Sequence, residues 1–222
     1  MEADLHIHTS RYSGCSNIDP LAVLQAAVNA GLDLIAFTEH GIRWPDDELG
    51  ALTAESGVTG LTVIPGQEAA CYTPSGIFQG EFLVFGYPRS LGSNKSAEQL
   101  IRLVHTEGGV VIAAHPFKRS QGGEGFYGSG PGTLELDLDG LEIEHPAYDE
   151  AGRRLAWETR HAMGIAGLGC SDAHDLRDLG TCRTMFLDPV DSVESLCRAI
   201  REGNVRAVNR RPGILGTPGS SM

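Results

Sequence analysis

Three features of the 222-residue sequence predict an α/β fold built on a parallel sheet or barrel. Apolar, β-rich runs alternate with amphipathic helical patterns almost from end to end, the signature of repeated βα units. Several of the helical stretches carry their own capping residues. Histidines and carboxylates cluster where the apolar runs stop, and in α/β barrels the active site gathers at the C-terminal ends of the strands.

The elements follow in order. Leu5 to His8 reads as a first strand. Asp19 and Pro20 then supply an N-cap and a first-turn proline for a helix through Asn29, stopped by Gly31. Leu34 to Phe37 is a second strand, followed by a shorter helix over about Asp47 to Glu55. Leu61 to Ile64 and Glu81 to Phe85 are further strands, with Tyr72 to Gly80 between them as a polar connection. Ser96 and Gln99 form a capping box for a helix that runs to Glu107 and ends at Gly108 and Gly109. Val110 to Ala114 is continuously apolar, as a strand covered on both faces must be. Ser120 to Gly132 is a long glycine-rich loop. Strands at Leu141 to Ile143 and Ile165 to Leu168 flank a helix over Glu150 to Met163. A last helix, Ser192 to Arg201, precedes a Val205 to Val208 strand. Residues 1–210 are thus expected to form one domain, and 211–222, with Pro, Gly and Ser, a disordered tail.

Composition narrows the function. Hydrophobic content of 41% and charged content of 21% are those of a soluble globular protein. A formal charge of −12 argues against a polyanion-binding surface, so no long duplex nucleic acid is expected as a partner. Two or three divalent cations would offset part of that charge if several acids are ligands. The five cysteines are scattered with no Cys-x-x-Cys pair, which points to buried thiols in a reducing compartment. No basic-then-apolar leader opens the sequence and no apolar run is long enough to span a bilayer, so a cytoplasmic location without membrane association is expected.

Chemistry concentrates in a few fragments. In His6-Ile7-His8 the two histidines are two residues apart, so on a strand both rings point to one face, the geometry two imidazoles need to share a metal. Thr38-Glu39-His40 and Gly66-Gln67-Glu68 are weaker signals alone. His115-Pro116 closes the run Val-Val-Ile-Ala-Ala, where a ring has few polar neighbours except a ligand or the opposite wall. Asp172-Ala173-His174 again sets two ligand types on one side. Burying so many imidazoles and carboxylates without metal or partners would cost several kcal/mol. A polynuclear metal site explains the fragments together.

The order and spacing of these motifs resemble the PHP (polymerase and histidinol phosphatase) family, which belongs among the amidohydrolase-like barrels. The resemblance runs from Ala3 to about Val208 and rests on Asp4-Leu-His-Ile-His-Thr, Gly31-Leu-Asp-Leu-Ile-Ala-Phe-Thr-Glu-His, Pro65-Gly-Gln-Glu, Ala114-His-Pro and Gly169-Cys-Ser-Asp-Ala-His. It implies a distorted seven-stranded (β/α) barrel, TIM-like, holding two or three divalent ions (Mn, Zn or Fe). By motif, His6, His8, Glu68 and Asp172 would hold the first metal, Glu68 would bridge to a second also bound by His115, and His40 and His174 would belong to a third. Glu68, Asp172 and His174 are then the expected catalytic residues. The sequence departs from the family at three points. Glu81 stands where a metal-binding His often begins the strand, a change favouring a harder ion such as Mn²⁺. The loop after His8, which often supplies a His or Asp to the third metal, offers Cys15, with Asp19 further on. Thr38-Glu39-His40 replaces the commoner Thr-Asp-His.

A bridged pair of divalent ions lowers the pKa of a shared water to near neutrality and clamps the oxygens of a phosphoryl group. The reaction expected is therefore hydrolysis of a phosphate ester by metal-activated hydroxide, on a small phosphorylated metabolite, nucleotide or short oligonucleotide. A histidinol-phosphatase-like monoesterase and a non-catalytic metal-binding module are the alternatives. Phosphate grips are expected from Arg11, Arg43, Lys118 and Arg119, each just past a ligand motif, with Arg177 a further candidate. His145 could be an extra ligand or a leaving-group acid. His105 and His161 lie in helical stretches, and Cys170, Trp44 and Trp157 fit packing roles.

Overall fold

The computed structural model describes residues 1–122 and 124–211, so the tail expected to be disordered lies, beyond Arg211, outside the described residues. The chain order is β1 (Glu2–Ile7), α1 (Pro20–Asn29), β2 (Leu34–Phe37), α2 (Asp46–Ser56), β3 (Thr62–Pro65), β4 (Gln67–Tyr72), β5 (Phe78–Phe85), α3 (Ala97–Thr106), β6 (Val110–Ala113), a 3-10 turn at Gly130–Glu135, β7 (Gly140–Glu144), α4 (Glu150–Met163), β8 (Ala166–Gly169), β9 (Cys182–Phe186), α5 (Val193–Arg201) and β10 (Val205–Asn209). The capping residues act as the sequence requires. Asp19 accepts the backbone N–H groups of Leu21 and Ala22 at the start of α1, and Ser96 with Gln99 closes the capping box of α3.

The strands form two five-stranded sheets, ordered β10-β9-β1-β2-β3 and β4-β5-β6-β7-β8. The α/β class holds, but the described residues show no single closed ring of parallel strands. β4 runs antiparallel to β5 and β5 to β6, while β9 is antiparallel to both β1 and β10. Two strands absent from the sequence reading, β4 and β9, account for this together with a longer β5. β4 hides in the Gln-Glu motif, and β5 starts at Phe78, inside the stretch taken as a polar connection. β9 has the alternating burial of a strand with one face covered. Pro65 and Gly66 break the chain between the sheets: β3 pairs with β2, and β4 turns away to pair with β5. Gly66 is required there, because a Cβ would sit 2.5 Å from the Phe85 ring.

A central apolar cluster draws Leu5, Leu34 and Ile64 from the first sheet, Leu83, Phe85, Ile112 and Leu168 from the second, and Leu196 and Ile200 from α5. α1 and α2 cover the outer face of the first sheet through Leu24, Leu49 and Leu52, and α3 and α4 cover the second through Leu100, Val104 and Ala156. The packing gathers a cluster of polar groups inside the molecule. His6, His8, Glu68, His115, Glu142 and His145 are all buried where β1, β4, β6 and β7 end or begin. No helix among the described residues is long and apolar enough to cross a membrane.

Candidate metal centre

His6 sits on β1 and His8 just beyond it, and both rings turn inward, as their spacing requires. His6 Nε2 and His8 Nε2 are 3.0 Å apart. Glu68 Oε1 lies 3.2 Å from His6 Nε2, Glu68 Oε2 lies 3.4 Å from His8 Nε2, and Asp172 Oδ1 is 3.4 Å from both. The far side of each ring fixes its proton. His6 Nδ1 faces Glu142 Oε1 at 2.8 Å, and a carboxylate only accepts. Ser13 donates its hydroxyl to Glu39, so its oxygen, 3.2 Å from His8 Nδ1, accepts from that ring. With each neutral ring protonated at Nδ1, two nitrogen lone pairs and two carboxylates converge. Burial lowers His6, but Glu68, Asp172 and Glu142 outweigh it and raise the ring well above the usual imidazole range, so this place attracts a proton or a cation. Four donor atoms at 2.0–2.2 Å around a tetrahedral ion would stand about 3.4 Å apart. The residues fit a divalent cation.

Two further groups adjoin this one. His115 Nε2 lies 3.1 Å from Glu68 Oε1 and 3.7 Å from Glu81 Oε2, so Glu68 Oε1 faces both His6 and His115 while Oε2 turns to His8 and His40. His40 donates Nδ1–H to Glu68 Oε2 at 2.9 Å, while Cys15 Sγ lies 3.2 Å from His40 Nε2 and 3.1 Å from His174 Nε2. The ring nitrogens of His8, His40 and His174 all fall within 4.8 Å of one another. An isolated bridge between His40 and Glu68 ties the end of the first sheet to β4 at this place.

The backbone is strained at two residues of this cluster. Among the described residues only His115 and Asp172 combine a side chain with positive φ, at 29° and 51°. Such conformations cost about 1–3 kcal/mol each and collect at functional sites.

Electrostatics follow from burial and crowding. Burial raises the Glu68 carboxyl, but His6, His115 and His40 outweigh it and hold the group well below the usual carboxylate range. Asp172 behaves likewise, held down by His6, His145 and His8 against its burial. Glu81 goes the other way: burial and the charge of Glu68 push it up to about 7. Burial, with Asp172, Glu68 and Glu39 nearby, raises the Cys15 thiol.

Glu142, Glu39, Ser13 and Asp4 have roles that the motifs alone did not assign. Glu142 receives His6 Nδ1 and, at 2.6 Å, the backbone N–H of His115. Glu39 receives Thr9, Ser13 and Trp44, so the carboxylate of Thr38-Glu39-His40 pins the loop after His8 and stays outside the donor group. Buried Asp4 accepts from the backbones of His6, Ser171 and Gly180, joining β1 to the Asp172 loop. The signal available was an acid inside an apolar strand, Asp4 in Ala-Asp-Leu and Glu142 in Leu-Glu-Ile. His145 does reach the centre. Its Nδ1 accepts the Ala147 N–H, so Nε2 carries the proton and lies 3.5 Å from Asp172 Oδ2 without completing a hydrogen bond.

A cavity of about 560 Å³ opens onto the centre, lined by Cys15, His40, Glu81, Lys118, Arg119 and Tyr127 among others. Lys118 Nζ is 3.2 Å from Asp172 Oδ2 and 5.6 Å from the Tyr127 ring centre. Arg119 pairs with Asp149 at 3.5 Å and lies over Phe126. The other cations expected there are not brought to this lining. Arg11 is paired with Glu48, Arg43 with Asp46 at 2.6 Å, and Arg177 with Asp175 at 2.8 Å. Arg43 and Arg177 are claimed by acids three and two residues away, and Arg11 by Glu48 at the start of α2. Trp44 is buried against Phe37, as a packing role requires.

Comparison with known proteins gives the following. A family model described as PHP-associated matches residues 152–205. An uncharacterised protein of Methanocaldococcus jannaschii is 32% identical over 162 residues, covering 68% of this chain and 85% of its own. Among solved structures, a two-domain Bacteroides vulgatus protein containing a predicted PHP-like metal-dependent phosphoesterase matches 94% of this chain with a TM-score of 0.73 at 17% identity. The chain spans 64% of that protein's length. Endonuclease Q, solved with a 27-mer duplex substrate carrying an abasic lesion at the active site, matches 90% of the chain and 56% of its own at a TM-score of 0.58 and 17% identity. These structural likenesses show a shared fold. The last of them corrects the expectation that excluded long duplex nucleic acid as a partner: a protein of this fold holds a duplex at its active site. Net charge was the wrong measure, because phosphate contacts depend on where cations and metal ions stand, not on the sum over the surface.

Proposed function

The chain belongs to the PHP (polymerase and histidinol phosphatase) domain family, and from that premise we propose that it is a metal-dependent hydrolase of phosphate esters. The observation that carries this reading is the buried convergence of His6 Nε2, His8 Nε2, Glu68 and Asp172 at 3.0–3.4 Å. In this reading those four residues hold one divalent ion, Glu68 reaches a second shared with His115 and Glu81, and His40 and His174 belong to a third position. Ions of the Mn, Zn or Fe type, when bound, supply Lewis-acid activation of water and neutralise a phosphoryl group.

The chain's own groups do the rest. Glu142 and Ser13 keep His6 and His8 in the tautomer that leaves Nε2 free to ligate. Lys118, at the cavity wall, receives a phosphoryl oxygen, with Arg119 beside it. His145 turns its Nε2–H toward the inner side of Asp172, where it helps orient that carboxylate. Tyr127 and Phe126 narrow the mouth beneath those two cations.

The test is hydrolysis of a generic aryl phosphate and an aryl phosphodiester after loading with Mn²⁺ or Zn²⁺, followed by mononucleotides, oligonucleotides and duplex DNA. Activity with added metal, lost in His6→Ala and Asp172→Ala, is the expected result. Protein that binds two or more ions yet turns over nothing across this panel would instead be a metal-binding module.

A further inference from the structure

We propose that Cys15 is a ligand of the third metal position, completing a His-His-Cys site with His40 and His174. The inference rests on the metal-dependent reading above and concerns the one donor by which this chain departs from the usual His or Asp of that loop.

The protons available cannot satisfy the three atoms that meet here. His40 Nδ1 faces the Glu68 carboxylate at 2.9 Å and His174 Nδ1 faces the backbone carbonyl of Asp172 at 2.8 Å. Both partners are acceptors only, so both rings carry their proton on Nδ1 and present the Nε2 lone pair on the other side. Both lone pairs point at one atom, Cys15 Sγ, at 3.2 and 3.1 Å. A thiol has a single proton and can satisfy one of the two. Protonating a ring instead would aim an N–H at sulfur, a weak acceptor. A cation between the three atoms resolves the conflict, since a thiolate and two imidazoles are all donors to it. With Zn–N near 2.0 Å and Zn–S near 2.3 Å, a tetrahedral N–Zn–S pair has an edge of about 3.5 Å, so each N···S contact opens by a few tenths of an ångström to admit the ion.

The thiol is held there by design of the loop. Ser10 N–H donates to Ile18 O, Ser16 N–H to Ser13 O, and Ser16 Oγ–H to His8 O, folding residues 9–16 back over His8. Glu39 anchors the same loop through Thr9 and Ser13. Cys15 is the exposed cysteine; Cys71, Cys170, Cys182 and Cys197 are buried. A thiolate at this position selects a borderline or soft ion such as Zn²⁺, Fe²⁺ or Co²⁺ over Mn²⁺ or Mg²⁺, whereas Glu81 makes the neighbouring position oxygen-rich. The centre is therefore built to take two kinds of ion.

Metal-stripped protein titrated with Co²⁺ tests this, reading the near-ultraviolet thiolate-to-cobalt charge-transfer band and counting bound ions by elemental analysis. The wild type is expected to develop the band. Cys15→Ala is expected to lose it and to bind one ion fewer per chain, and Cys15→Asp to recover the ion without the band. Cobalt bound by the wild type with no band, or a band that survives in Cys15→Ala, overturns thiolate ligation by Cys15 while leaving the metal centre in place. No cobalt bound at all overturns both readings. Because Cys15 is exposed, metal-free wild type and Cys15→Ala are expected to unfold at the same temperature, which separates a lost ligand from a lost fold.

Discussion

His6 Nδ1 lies 2.8 Å from Glu142 Oε1, and the other oxygen of that carboxylate accepts the backbone N–H of His115 at 2.6 Å. One buried acid thus orients a ring in one part of the centre and the backbone of a residue in the next. Despite its burial, the charges of His6, His145 and His115 hold Glu142 at about 2, so it stays ionised. A glutamine would offer one acceptor and one donor to two N–H groups, leaving one of them facing an amide NH₂. Glu142→Gln is expected to weaken metal binding by roughly 10- to 100-fold, the usual cost of removing a group that orients a ligating imidazole. Competition against a chromophoric chelator measures it; wild-type affinity in the variant would rule out the orienting role.

Glu81 makes metal uptake depend on pH. Burial and the charge of Glu68 raise its carboxyl to about 7, against the pull of His115, His40 and His6. Below that pH an ion must displace a proton to use Glu81, so affinity should fall as pH drops below about 7, and this group adds no further gain above it. Calorimetric titration at pH 6 in two buffers of different ionisation enthalpy counts the protons released. Glu81→Gln is expected to release about one fewer than the wild type. Equal release would show that Glu81 is not displaced by metal.

Lys118 and Arg11 test the phosphate grip against a surface control. Lys118 lines the cavity beside Asp172, whereas Arg11 is more than half exposed and paired with Glu48. Losing a hydrogen bond to a charged group costs about 1.5–3 kcal/mol, so Lys118→Ala should lower kcat/KM for an aryl phosphate by roughly 10- to 100-fold with metal content unchanged. Arg11→Ala should leave kcat/KM within about twofold, because exposed pairs contribute little. A larger effect at Arg11 than at Lys118 would reverse the assignment of the substrate's approach.

The helices were legible because their signals are local: Asp19, Ser96 and Asp149 each accept backbone N–H groups within the next three residues. His6 and His8 were legible because a two-residue spacing on a strand has one geometric meaning. What the sequence hid was pairing. The antiparallel pairing of β4 and β5 stayed hidden because the turn at Thr73–Gly76 that joins them reads equally as part of a polar connection. The roles of Glu142 and Glu39 were hidden because their partners lie 136 and 26–30 residues away. Arg11 and Arg43 were misjudged because position after a ligand does not set side-chain direction, and a nearby acid claims each one.

Gly66 links the fold to the centre and gives the last prediction. It stands between Pro65, the end of β3, and Gln67, the start of β4, which carries Glu68 inward. A Cβ at Gly66 would lie 2.5 and 2.8 Å from two atoms of the Phe85 ring and 3.0 Å from Thr38 Cγ2. Phe85 is fully buried in the central cluster and Thr38 Oγ1 accepts the Ile7 backbone N–H, so neither yields freely. Gly66→Ala must therefore push β4 away from β2, and Glu68 moves with it. Overpacking of this kind costs about 1–3 kcal/mol, which in a domain of this size lowers Tm by roughly 2–12 °C. Loss of bound metal should accompany the lower Tm, because Glu68 faces His6, His8, His40 and His115 at once. A variant with lowered Tm but full metal content would show that the strain relaxes into the core and that Glu68 is held independently of the Pro65–Gly66 turn.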